Sequence, residues 1–494
     1  MSSETMDQLD RRLLGIIGVV LLGGLLGILN STMAAVATGS LAEAFDASLS
    51  TVGWASTGFL LAVTATIPFT TWAVDRYGGK RLWVAGLGLF LAGSLGAGLA
   101  WDVGSLIAFR VVQGIGAGVL DPLVLILLAR AAGPRRAGRV MGLMGVVLSL
   151  GPVLGPIAGG ALLGALTWRA MFLVSVVVGI VALVLALRVI PGDRPGGGGS
   201  QAGESGGAGE AGAGGGGAGQ GPARLDVLGL ALLGPGFAAV VLGLSQTAEQ
   251  GAIAAWQALL PLGAGAVLLI MYAGHALRRR RGPAPLIDLR LFRSRGFSAS
   301  VTIMGLGGMG LYAGLFALPL YYQQAHGHGV LAAGLLMAPL GLGGSIAMPL
   351  AGRLSDRLGA RGLAVGGAVV AVLSLLALTR VGPDTPEVWP ALAALTFGLG
   401  SGCYSAPTMG SLYRTLPGPL VAQGSSVLYM LNQLGAALGV ALVTLVVQTA
   451  SDPVSGLRGV FWLGVAANVV VLALVPLLPG KARTPEPVRE GSLV

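Results

Sequence analysis

Apolar runs of about twenty residues, each long enough to cross a bilayer core, recur from Leu13 almost to the C-terminus. A chain can place such runs in lipid only as helices, because no water is present to satisfy an open backbone. Fourteen are legible, near 13–36, 51–71, 82–101, 105–129, 140–163, 169–189, 226–246, 255–275, 297–320, 331–352, 362–380, 388–410, 421–448 and 460–479. With 54% of its residues hydrophobic and 10% charged, the chain has too little polar surface for a soluble fold, in which about a quarter are charged. The expected class is therefore all-α, a polytopic membrane protein. The first run is too long for the core of a signal peptide and lacks a clear small-residue cleavage site, so it reads as a retained helix.

Charge placement fixes the register of these spans. With the N-terminus in the cytoplasm, twenty-six of the 30 Lys and Arg residues fall on the cytoplasmic side. Only Arg169, Arg380 and Arg458 face outward, and Arg110 lies inside a span. This is the positive-inside pattern, with both termini cytoplasmic in the cell inner membrane. The net charge of +10 is accounted for by these short clusters, which excludes nucleic acid as the partner and leaves membrane lipids. A single cysteine, Cys403, allows no intramolecular disulfide. Residues 191–225 are different material, glycine-rich and without apolar groups to bury, and read as a flexible cytoplasmic linker after the sixth span.

Two charges inside the fourth span carry the chemistry. Arg110 and Asp121 are eleven residues apart, almost three turns, so they share a face about 16 Å apart and cannot pair directly. They are placed to end a wet path lined by other helices. Among 20 acidic residues, Asp121 is the one well inside a span. Two roles suit it: a carboxylate that carries a proton across the membrane, or a structural group bonded to a polar neighbour. No GxxxxGK[ST] sequence occurs, which argues against an ATP motor. No Ser/His/acid arrangement suggests an enzyme, and no cofactor is implied. His326 and His328 in QQAHGHG have no acidic or cysteine neighbour in sequence and read as loop residues rather than a metal site. His275, before four arginines, reads as interfacial.

The chain also repeats itself. DRYGGKR, with Asp75, Arg76, Gly78, Lys80 and Arg81, matches DRLGAR, with Asp356, Arg357, Gly359 and Arg361 after Gly352. The aspartates are 281 positions apart, and GIGAG at 114–118 precedes GLGSG at 398–402 by 284. Two matches at nearly one offset indicate duplicated parallel bundles, spans 1–6 and 9–14, with spans 7 and 8 inserted. In the fifth span Gly151, Gly155 and Gly159 recur every four residues and give a smooth face for a close neighbour. Pro152 and Pro156 beside them are expected to bend or loosen that helix.

At these residues the chain resembles the major facilitator superfamily, in its fourteen-helix drug:proton antiporter branch. The two loops resemble the family's Gly-x-Leu-x-Asp-Arg-x-Gly-Arg-Lys pattern, with Thr71 and Gly79 as departures in the first copy. Gly151, Pro152, Gly155, Pro156, Gly159 and Gly160 resemble the antiporter motif, and Trp168, Arg169, Phe172 and Gly179 the run that follows it, from which Ser175 and Val177 depart. Arg110, Gln113, Gly114 and Gly118 resemble a run whose arginine is linked to proton transfer. Two charges usual in the branch are missing: Asn30 stands for an aspartate and Asn432 for an arginine.

The resemblance implies a major-facilitator-type fold of two six-helix bundles (1–190 and 281–494), with two additional helices within 226–280. It implies export of hydrophobic small molecules or drugs in exchange for protons, by a functional monomer. Asp121 and Arg110 become the proton-coupling candidates, and the two loops the conformational gates. Asn30, Thr32, Gln113, Tyr404, Tyr429, Asn432 and Gln433 are candidates to line the substrate cavity. A lipid exporter of the same fold, or a non-transporting membrane receptor, is the alternative.

Overall fold

The computed structural model describes residues 11–192, 225–250, 255–278, 285–450 and 452–478. Of the expected linker, 191–225, residues 193–224 lie outside the described residues. Within them every regular element is helical. The first half holds α1 (Arg11–Val36), α2 (Thr38–Phe45), α3 (Leu49–Tyr77), α4 (Gly79–Gly98), α5 (Val103–Ala165) and α6 (Trp168–Val189). Then come α7 (Val227–Gln250) and α8 (Trp256–Arg278). The second half holds α9 (Arg295–His326), α10 (Val330–Leu336), α11 (Ala338–Leu358), α12 (Ala360–Leu378), α13 (Val388–Thr415), α14 (Val421–Thr449) and α15 (Pro453–Leu474).

One expectation changes here. The spans near 105–129 and 140–163 are limbs of one helical segment, α5, 63 residues long. Straight, it would reach about 95 Å, three times a bilayer core. It folds back instead: Gly24 of α1 lies beside both Val124 and Met144, while neighbouring Gly27 and Ile28 face Asp121 and Gly151. The reversal therefore falls near residue 135, between the apolar limbs Val103–Ala132 and Arg136–Ala165. Asp102 opens the first limb by accepting the Ser105 N–H at 2.6 Å, a bond that holds its carboxyl below the usual range. The fourteen long helices expected are present, though composition marks one of them less clearly. Thirteen segments among the described residues are long and apolar enough to cross a membrane, and α13, with 28 residues, is long enough but too polar. Its GLGSGCYSAPTMGS stretch is buried among α5, α9, α11 and α12, so protein rather than lipid surrounds most of it.

The duplication is visible in how glycines let helices touch. Gly114 and Gly118 admit the backbone of α3, and Gly116 that of α4. In the second copy, Gly398 and Gly402 face α11, and Gly400 faces α12. Gly151 and Gly155 on the second limb of α5 pack against Ile28 and Thr32 of α1. At the same offset of 284, Gly435 and Gly439 of α14 pack against Gly305 and Met309 of α9. A side chain at any of these positions would separate the helices, which is why small residues alternate there. The antiporter-like glycines thus have a counterpart in the second half, where no prolines accompany them.

Each half closes with its last helix, α6 against α1 and α4, α15 against α9 and α12. The halves meet chiefly along α5 and α11, and again where α14 touches α3 and the first limb of α5. The inserted pair covers this second seam: α7 packs on both α3 and α14, and α8 packs on α7 with Leu260, Val267 and Ile270 exposed.

Candidate functional site

Arg110 is fully buried in the first half. Its Nη1 donates to Asn30 Oδ1 and to Gln113 Oε1, each at 2.7 Å, and its Nε to the Ala55 carbonyl at 3.2 Å. The guanidinium lies 4.2 Å from the centre of the Phe59 ring. No carboxylate reaches it among the described residues, so neutral oxygens and the faces of Phe59 and Phe172 surround this charge. Asn30 Nδ2 in turn donates to Ser175 Oγ at 3.1 Å. Asn30 and Ser175 are two positions at which the sequence departs from the branch it resembles, and the departures meet in one hydrogen bond.

Asp121 belongs to a different network. The Tyr429 hydroxyl donates to its Oδ2 at 2.7 Å, which joins the first limb of α5 to α14 across the seam between the halves. Gly27 faces its other oxygen, and Tyr312 of α9 lies within electrostatic reach. The carboxylate is partly exposed. Sequence spacing placed Arg110 and Asp121 on one face at the two ends of a shared path. The structure assigns them to separate networks, because Asn30 and Gln113 already occupy the guanidinium. Asp121 is also not the most deeply enclosed acid: Asp226, which caps α7, is 2% exposed and bonds His275 of α8 at 3.0 Å.

The two loop copies share their geometry. Gly78 and Gly359 both have positive φ, 88° and 96°, which a side chain would disfavour. Lys80 donates to the Leu187 carbonyl in the last turn of α6 at 2.7 Å, and Arg361 to the Leu478 carbonyl just beyond α15 at 2.9 Å. Asp75 pairs with Arg130 at 2.9 Å, and Asp356 with Arg414 at 2.6 Å. The arginines are again 284 apart, a signal present in the sequence but passed over there. Arg76 and Arg357 are exposed.

The copies differ in what else the aspartates hold. Asp75 and Arg130 are 44% and 40% exposed, a surface pair worth little. Asp356 reaches across to the other half and accepts the Gly138 and Arg139 backbone N–H groups at 3.1 and 2.9 Å, just after the reversal of α5. Beside it Gly138, Gly352 and Gly410, from α5, α11 and α13, meet backbone to backbone. On the other seam the Thr71 and Ser426 hydroxyls are 2.7 Å apart. The Asp356 and Thr71–Ser426 bonds lie toward the arginine-rich side, whereas Asp121–Tyr429 lies near mid-span, one turn along α14 from Ser426.

The expected cavity residues do not form one open surface. Asn30, Gln113 and Tyr404 are enclosed, at 2%, 0% and 0% exposure, the first two within the Arg110 network and Tyr404 with its ring against Gly307 of α9. Thr32 bonds back to the Ile28 and Leu29 carbonyls, and Asn432 donates to the Met304 carbonyl at 3.2 Å. Gln433 is half-buried, and Tyr429 is committed to Asp121. In the antiporter-like stretch α5 stays helical through Pro152 and Pro156, with Gly159 against Met33 and Gly160 half-buried. His326, which ends α9 rather than lying in the loop, and His328 after it are not isolated: His328 bonds Glu387 at 2.6 Å and His326 bonds the Tyr321 hydroxyl at 3.2 Å. Glu387 comes from 59 residues away, beyond the reach of local sequence reading. No group of three metal-ligating side chains occurs among the described residues.

Comparison with known proteins matches this architecture. The profile of the Major Facilitator Superfamily matches residues 20–440. A multidrug resistance protein B homolog of Mycobacterium tuberculosis is 35% identical over 442 residues, covering 89% of this chain and 77% of the relative. The tetracenomycin C resistance and export protein of Streptomyces glaucescens is 27% identical over 424 residues, covering 86% and 74%. Among solved structures, a proton:xylose symporter bound to 6-bromo-6-deoxy-D-glucose superposes with a TM-score of 0.64 at 15% identity, covering 95% of this chain and 96% of the other. That likeness concerns the fold. With its two six-helix bundles and inserted pair, the chain belongs to the Major Facilitator Superfamily and is a multi-pass membrane transporter, not an enzyme.

Proposed function

We propose that this protein exports hydrophobic small molecules, neutral or singly cationic, in exchange for protons, by alternating access between the bundles 1–190 and 281–494. The observation that carries the reading is the position of Asp121: a carboxylate inside a span, at the seam between the halves, with no cation beside it among the described residues. Such a group can be neutralised by a proton and thereby change how the halves fit. The relatives named for multidrug resistance and for tetracenomycin C resistance and export support the outward direction and the substrate class. In this reading the arginine-rich side faces the cytoplasm of the inner membrane, both termini lie there, and the protein works as a monomer. Asp356, Arg414 and the glycine contact form the cytoplasmic gate, while Asp75 and Arg130 wait in the other copy.

In energised inverted vesicles containing the protein, adding a substrate is expected to discharge the pH gradient. Absence of any discharge across a panel of hydrophobic cations and neutral antibiotics would oppose the reading. Topology is tested separately: a tag at Gly215 is expected to be cytoplasmic and one at Gly327 external, and reversal of either overturns the sidedness. Shortening the glycine-rich stretch is expected to leave transport intact, because its composition specifies reach rather than contacts. A stable, inserted short-linker protein without transport would contradict that.

A further inference from the structure

The hydrogen bond between Asp121 and Tyr429 joins the two groups most directly placed to couple charge to closure. It is 2.7 Å long, spans 308 positions of sequence and links α5 to α14. It lies one turn from the Thr71–Ser426 contact on the same helix α14. The elements around the carboxylate bring it no opposing charge among the described residues: α1 presents Gly27, α9 presents Tyr312, and α3 presents Thr70, which donates to the Gly118 carbonyl. Tyr429 is therefore its one hydrogen-bond donor there.

We propose that Tyr429 is the positioning residue through which protonation of Asp121 opens the arginine-rich side. The inference rests on the proton-exchange reading above and adds to it the part that moves. When Asp121 is ionised, the phenol hydrogen bond is charge-assisted and holds α14 against α5, so this side stays shut. A proton arriving from the opposite side binds a carboxylate oxygen and leaves a neutral pair, whose hydrogen bond is roughly half as strong. The seam then parts on the arginine-rich side, and the proton leaves there. The order suits an exporter, because proton entry from outside is what returns the empty carrier to face the cytoplasm. Asp356 is the other titratable group bridging the halves, but it is held by Arg414 and two backbone N–H groups, so the test must separate the two.

The Thr71–Ser426 contact supplies the reporter. In the full-length protein with Cys403→Ser, a Thr71→Cys/Ser426→Cys pair reconstituted in vesicles should form a disulfide when this side is shut and copper phenanthroline is added as oxidant, with a cysteine pair inside one half as the control for the thiols' own titration. Cross-linking relative to that control pair is expected to fall as the pH is lowered, and Y429F is expected to lose that relative pH dependence. D121N carries the same prediction with the tyrosine in place, so the test does not hang on the folding of one variant. A parent-like pH dependence in either variant overturns the proposal, as does its loss only in D356N. Gradient-driven flux measured on the same vesicles tests the exchange reading independently: no flux with a Tyr429-dependent cross-link would fell that reading and leave the latch standing.

Discussion

Asp121→Asn is expected to lose gradient-driven substrate accumulation by more than about tenfold, equivalent to ~1.4 kcal/mol, while substrate binding changes little. Asparagine keeps the size of the side chain and can still accept from Tyr429 through the weaker, neutral hydrogen bond, so folding and insertion should survive. What it cannot do is exchange a proton. Downhill exchange of substrate across the membrane should therefore persist while uphill transport stops. Robust accumulation by D121N in proteoliposomes would remove Asp121 from the coupling role without touching the export reading. Asn30→Asp addresses the alternative that a first-helix carboxylate restores coupling. The structure argues against simple rescue, because the new carboxylate would lie beside Arg110 Nη1, which now bonds Asn30 at 2.7 Å, and would be held there as an ion pair.

Gly138→Val is the second large effect. A Cβ at this position would meet Asp356 and the Gly352 carbonyl, and Gly410 presses against the Gly138 backbone from α13. Three helices from both halves converge with no side chain between them, so a valine has nowhere to go without parting α5 from α11. The substitution also pushes Asp356 away from the N–H groups it accepts. Transport is expected to fall more than about tenfold, and overpacking of this kind typically costs ~1–3 kcal/mol in the closed arrangement. With Cys403→Ser, a single cysteine in place of Ser355 should become more reactive to a thiol reagent applied from the arginine-rich side. Unchanged transport and unchanged labelling would mean that this contact does not gate.

The spans were legible because lipid exposure imposes a composition on a helix. Helix α13 shows where that logic weakens: a helix surrounded by protein is released from the demand for apolarity and carries glycines and hydroxyls instead. The duplicated loops and the GIGAG and GLGSG pairs were readable from spacing alone, and the spacing of Arg130 and Arg414 held the same information. Gly138 was not readable, since it sits among arginines in what looks like a connecting loop, and its partners lie more than 200 positions away. Tyr429 suffered similarly, as one aromatic among several until α14 is placed against α5. Asn30 illustrates a further limit. Its departure from the family pattern was visible, but its meaning depends on Ser175 and Arg110, which only the packed bundle brings to it.

Flux driven by an imposed pH gradient in proteoliposomes of the purified protein tests the central claim most directly. With the arginine-rich side facing the substrate supply and the opposite side acidic, a hydrophobic cation or neutral antibiotic should move against its own gradient. That movement should collapse when a protonophore is added, and each substrate exported should be matched by measurable proton entry. Substrate binding with no gradient-dependent flux for any compound in the panel would contradict proton-driven export and leave a membrane receptor as the better account.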